Sequence, residues 1–108
     1  MSTRPAAIGY LRRDVSGVSQ VWDETQIGSV ARRLGYELAK TIVFDARTPD
    51  AVAQLITAVE RADADAVIVP GAAHFGGVIP DQLVRVCDVV TVSPEATYAR
   101  WALRADGA

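Results

Sequence analysis

The sequence predicts an α/β domain: three layers, α/β/α, around a four-stranded parallel sheet of order 2-1-3-4. Two observations carry this. Short apolar runs with no wet face alternate four times with segments of helical period. Strands buried on both faces and joined by helices call for a parallel sheet with right-handed crossovers. The 108 residues leave room for one domain only, expected over 1–108 with an ordered core at about 5–103.

Ala6-Ala7-Ile8-Gly9-Tyr10-Leu11-Arg12 is an apolar run ending in charge, the first strand. Arg13 to Ser19 reads as a polar loop, with Ser16 or Ser19 placed to cap the helix that follows. In that helix Ile27, Val30, Ala31 and Leu34 make one apolar stripe, and Gly35 closes it. Tyr36 to Phe44 is the second strand. Thr48 as N-cap, Pro49 in the first turn and Asp50 at the positive helix end announce the next helix, with Val52, Leu55, Ile56 and Val59 as its inner stripe.

Ala66-Val67-Ile68-Val69-Pro70 is the third strand. The small-residue loop Gly71 to Gly77 carries the single histidine, His74. Pro80 to Val86 reads as a short helix and Asp88 to Val92 as the fourth strand. Ser93-Pro94-Glu95 repeats the cap, proline and acid signature, so a last helix holding Tyr98, Trp101 and Leu103 is expected, with Arg104 to Ala108 fraying.

Half the residues are apolar and 22% are charged, an ordinary globular balance. A single Cys87 cannot form an internal bridge, so a reducing, cytoplasmic setting is expected. No stretch approaches the roughly 18 to 20 apolar residues of a membrane span, and the N-terminus lacks the features of a signal peptide. The abundance of Ala, Val, Arg and Asp points to a high-GC bacterial genome. The net charge of −2 supplies no phosphate-neutralising surplus, which argues against DNA binding by this domain alone. The neighbours Arg12 and Arg13, and Arg32 and Arg33, read as solvated surface before they read as a DNA contact.

In an open parallel sheet, chemistry gathers at the carboxyl ends of the strands. That edge is expected to bring together Arg12, Asp14, Ser16, Asp45 and His74, with Arg12, Ser19, Gln20 and Thr48 as anion-binding candidates at helix starts. Each has a plain structural alternative: Arg12 and Asp14 as a surface ion pair, Ser16 as a turn residue, His74 as a loop residue. Nothing has the spacing of a metal site or a Walker loop, so no metal or cofactor is expected. Trp22 and Trp101, near the two ends of the domain, serve either core or interface.

Tyr10-Leu11-Arg12, a polar loop, a glutamine-bearing helix and Leu34-Gly35-Tyr36 together resemble the start of the serine recombinase (resolvase) catalytic domain. That family opens with Tyr-x-Arg-Val-Ser and carries two glutamines near the loop-to-helix junction, where Gln20 and Gln26 stand here. Asp45 matches its Asp after strand two. The resemblance spans about residues 6–92 and rests on order and spacing together.

The departures concern catalysis. Counted directly from Tyr10, the nucleophilic serine position holds Asp14; Ser16 recovers a Val-Ser pair only with two residues inserted. The family's Asp-Arg-x-x-Arg places after strand three hold Ala73, His74 and Gly77. Serine attack on a phosphodiester needs several guanidiniums to neutralise the transition state, and Arg12 with a neutral histidine cannot replace them. The family's dimerisation helix and DNA-binding domain are not in the sequence. The resemblance therefore implies a degenerate, non-catalytic binding or regulatory module, with a protein partner or a second copy of itself. Two alternatives stand beside it: an anion- or small-molecule-binding module at the strand ends, and a residual recombinase-type enzyme using Ser16 or one using His74 and Asp45.

Overall fold

The structure is a computed structural model and describes residues 4–101. The expected place of Leu103 in a helix and the fraying of Arg104 to Ala108 lie outside the described residues. Along the chain run β1 (Ala6–Arg12), α1 (Arg13–Ser16), a 3-10 turn (Gly17–Ser19), α2 (Gln20–Arg33), β2 (Glu37–Phe44), α3 (Ala51–Ala62) and β3 (Ala66–Val69). A second 3-10 turn (Ala72–Phe75), α4 (Asp81–Val84), β4 (Asp88–Thr91) and β5 (Ala96–Tyr98) follow.

The sheet has five strands in the order β2-β1-β3-β4-β5. The first four are mutually parallel, and β5 runs antiparallel to β4. The α/β class is as expected; the sheet is mixed and five-stranded, not four-stranded and parallel. Strand alternation sends side chains to two cores. On one face Ile8, Tyr10, Val67, Val69 and Val89 pack with Leu55 and Val59 of α3 and with Leu83 and Val84 of α4. On the other, Ala7, Leu11, Ala66, Ile68 and Val90 meet Ile27, Val30 and Ala31 of α2.

The α2 face is built from smaller residues because the helix lies close. A β-carbon on Gly9 would stand 2.6 Å from Thr41 Oγ1 and 2.8 Å from Ile27 Cγ2, nearer than packed atoms approach. Gly35 ends α2 in a left-handed conformation (φ 85°), with its N–H donating to Arg32 and that of Tyr36 to Ala31, as the sequence predicts. Leu34, expected in the inner stripe, is instead exposed as the C-cap.

Three other expectations are corrected. The stretch Arg13 to Ser19 is not a loop: α1 begins directly after β1, and neither Ser16 nor Ser19 caps a helix through its side chain. Thr48 does not cap α3. Its hydroxyl accepts the Asp45 N–H at 3.1 Å and closes the turn after β2, so α3 starts at Ala51, after Asp50 in a left-handed conformation. Finally, Ser93-Pro94-Glu95 opens no helix. The Ser93–Pro94 bond is cis, Thr91 Oγ1 donates to the Pro94 carbonyl at 2.6 Å, and the chain reverses into β5. The same residue chemistry that caps helices also makes turns, and here the turn wins because β4 offers β5 a ladder.

Candidate functional site at the carboxyl ends of the strands

β1 outruns its partner on the β3 side: the pairing with β3 stops at Gly9, whereas the pairing with β2 continues to Arg12. The 3-10 turn after β3 fills the gap. The Arg12 backbone N–H donates to His74 Nδ1 at 2.9 Å, and the Tyr10 hydroxyl donates to the His74 carbonyl at 3.0 Å. Phe75 stacks on the Tyr10 ring with centroids 5.0 Å apart, and Phe44 meets it edge-on at 5.7 Å. His74, 4% exposed, thus takes the place of a missing strand residue.

An Nδ1 that accepts a hydrogen bond fixes the neutral Nε2–H tautomer. Burial pushes the His74 pKa below its ordinary 6.5, against the pull of Asp23 and Asp14 and with the push of Arg12. The unfolded chain therefore binds a proton that the folded one refuses. The resulting stabilisation is complete above about pH 6.5 and is lost as pH falls towards the depressed native value. His74→Asn keeps an acceptor for Arg12 and removes the titration. We expect its urea midpoint to fall less than the wild type's between pH 7.5 and 5; an equal fall in both proteins would exclude His74 as the source.

The remaining polar groups satisfy one another. Arg12 Nη2 lies 2.6 Å from Asp14 Oδ2, and Nε donates to Oδ1 at 3.2 Å. This bond raises the Arg12 pKa and lowers that of Asp14. Arg13 Nε stands 3.9 Å from Asp45 Oδ2, and Asp45 Oδ1 accepts the Arg47 N–H. Ser16 Oγ donates to Asp23 Oδ2 at 2.5 Å. Gln20 Nε2 donates to Glu24 within α2, Ser19 is exposed, and Gln26 is half-buried on the same helix.

Arg12, Asp45, Thr48 and His74 therefore do converge, on a cleft of about 180 Å³ also lined by Tyr10 and Phe75. Ser16 does not line this cleft; its hydroxyl is turned to Asp23. A nucleophilic serine needs a base of suitable pKa to receive its proton, and no hydrogen bond joins Ser16 to His74 among the described residues. The cleft also falls short of the roughly 300–1,000 Å³ of ordinary ligand pockets. The guanidinium among its lining residues, that of Arg12, is already met by the Asp14 carboxylate, which weakens the field an anion would need.

Comparison with known proteins adds no relative. No family model, curated protein or solved structure matches this chain.

Two features escape the sequence reading. Asp23 is one: Gly17 turns the chain (φ 56°, ψ −130°) between α1 and α2, and no spacing rule foretells that Ser16 then faces it. A larger cavity, about 540 Å³, lies between the turn after β3, the α4 region and β5, with Ala72, Val78, Ile79, Val84, Tyr98 and Trp101 among its walls. Trp101 is half-buried there, its backbone N–H donating to the Val84 carbonyl and the Arg85 guanidinium 5.4 Å from its ring centre. Cys87 is fully buried, and burial pushes its thiol up to about 12, which leaves it inert as a nucleophile. Among the described residues no cluster of metal-ligating side chains occurs and no helix is long and apolar enough to cross a membrane.

Proposed function

We propose that this chain is a resolvase-like domain that performs no strand cleavage and serves as a protein-binding module, with the helical corner Val15–Trp22 as its recognition surface. The kinship rests on Tyr10, Arg12, Gln20, Gln26 and Asp45 in their order along the sequence. The binding role rests on one observation. Among the described residues, four of the seven large exposed apolar side chains crowd into this corner: Val15 (38% exposed), Val18 (fully exposed), Val21 (77%) and Trp22 (64%).

Scattered apolar residues are normal on a surface, whereas such a concentration marks a contact. Covering a large apolar side chain is worth about 1.5–3 kcal/mol, and tryptophan is the residue type most often found to dominate an interface. The neighbouring polar groups, paired among themselves, offer no competing chemistry.

A photo-crosslinking amino acid at position 18 or 21, expressed in the native cell, tests this directly. One defined protein adduct is expected there, with none from the same probe at Lys40, midway along β2, and Trp22→Ala should weaken capture about 30-fold or more. Equal labelling at both places, or none at either, would overturn the reading. So would a covalent serine–DNA adduct on incubation with supercoiled plasmid.

A further inference from the structure

The 3-10 turn Ala72–Phe75 is a self-contained piece of chain. Its backbone bonds stay within residues 71–77: the His74 N–H donates to Gly71, that of Gly76 to Ala73 and that of Gly77 to Ala72. Among the described residues, the hydrogen bonds that tie it to β1 both run through His74, one from the Arg12 N–H to the ring and one from the Tyr10 hydroxyl to the carbonyl. Phe75 adds its stack on Tyr10. Gly76 (φ 83°) and Gly77 (φ 108°) follow in left-handed backbone, the kind of joint on which a segment turns. The turn is also a partition. His74 and Phe75 line the cleft of about 180 Å³ at the strand ends, and Ala72 and Gly77 line the cavity of about 540 Å³ beside β5.

The tie to the ring exists in one protonation state only. Nδ1 must present its lone pair to the Arg12 N–H, so a proton on Nδ1 sets two donors against each other at 2.9 Å. The carboxylates of Asp14 on α1 and Asp23 on α2 favour the imidazolium, but the first is held by Arg12 and the second by Ser16. The Arg12 guanidinium and burial oppose it. Asp45, after β2, shares the cleft and stands near Arg13, while α3 presents apolar Ala51 and Val52. The turn itself carries no other charge. A proton on Nδ1 therefore meets a donor, and with His74 only 4% exposed, water reaches it when the turn lifts.

We propose that residues 71–77 form a lid latched by neutral His74, and that uptake of one solvent proton at Nδ1 breaks the Arg12 N–H···Nδ1 bond and releases the lid on its glycine joint. Opening uncovers the Tyr10 and Phe75 rings and joins the two cavities; loss of the proton closes it again. Acid destabilisation of the whole domain through His74 does not require this motion, since it follows equally if the turn leaves β1 only on complete unfolding. The lid is independent of the Val15–Trp22 corner and of a partner bound there.

Hydrogen exchange of single amides in dilute urea separates local from global opening. In the wild type the Arg12 amide is expected to exchange through an opening that urea does not accelerate. Its protection should lie well below that of Val67 and Ile68 in β3, whose exchange should rise with urea as global unfolding does. Between pH 7.5 and 5, after correction for the intrinsic exchange rate, the Arg12 opening should grow several-fold in the wild type and stay nearly constant in His74→Asn. Imidazole nitrogen NMR shifts should show Nδ1 bare at pH 7.5 and protonated as the opening grows. An Arg12 amide with the protection and urea dependence of Val67 and Ile68 overturns the proposal, and that comparison needs the wild type alone. So does an Arg12 opening equally pH-dependent in His74→Asn, or an Nδ1 already protonated at pH 7.5.

Discussion

Tyr10→Ala is expected to lower the unfolding free energy by about 3–5 kcal/mol, the usual cost of emptying an aromatic core site. The domain as a whole should hold only about 5–15 kcal/mol, so this variant approaches the limit of folding. The reason lies in what the side chain joins. Its ring, fully buried, stacks on Phe75 after β3 and meets Phe44 at the end of β2, and its hydroxyl holds the His74 carbonyl. Three segments are thus tied at the point where β1 loses its β3 partner. Tyr10→Phe separates the two contributions: it keeps the packing and leaves one carbonyl unpaired, at about 1–2 kcal/mol. Urea denaturation of both variants measures the difference. Equal losses would mean that the hydrogen bond, and not the packing, secures the 3-10 turn.

Gly9→Val is expected to cost about 3 kcal/mol by overpacking. The glycine sits mid-strand in β1, where flexibility is no advantage, and its value is the absence of a side chain. A β-carbon there runs into Thr41 Oγ1 and Ile27 Cγ2, and the added methyls have still less room. Gly9→Ala should cost less, and Thr41→Ala should recover part of that loss, because it removes the nearer of the two clashes. A double-mutant cycle reads this coupling as a favourable interaction term. Simple additivity of the two substitutions would show that Thr41 turns its hydroxyl aside and does not limit the site.

Much of this architecture is legible in the amino-acid sequence. The runs around Ile8, Val43, Val67 and Val89 become strands because nothing else buries such segments, and the stripe Val52, Leu55, Ile56 and Val59 becomes α3. Legibility fails where short-range chemistry serves two ends. Thr48 and Ser93 both look like helix caps, yet the first closes a turn on Asp45 and the second joins a cis proline at a chain reversal. β5 itself carries no pattern that survives in three residues; its strand character comes from β4 beside it. At the strand ends, topology alone brings Arg12, Asp45, Thr48 and His74 to one place. That Arg12 and Asp14 satisfy each other, and that Ser16 turns to Asp23 instead of the cleft, depends on side-chain directions set by the Gly17 bend. Periodicity has no access to those.

β1 also sets an order of events. It precedes the other described strands in the chain, yet it lies inside the sheet, and its two neighbours, β2 and β3, come from different stretches of the chain. During synthesis, β1, α2 and β2 form a complete right-handed unit once Phe44 has emerged. The other flank of β1, where Tyr10 and Arg12 await the His74 turn, then stays unsealed until the ribosome has delivered Ala66–Val69 and the turn behind it. A nascent chain of this protein is therefore most open to proteases and chaperones along the same line that, in the finished molecule, is closed by one histidine and one tyrosine.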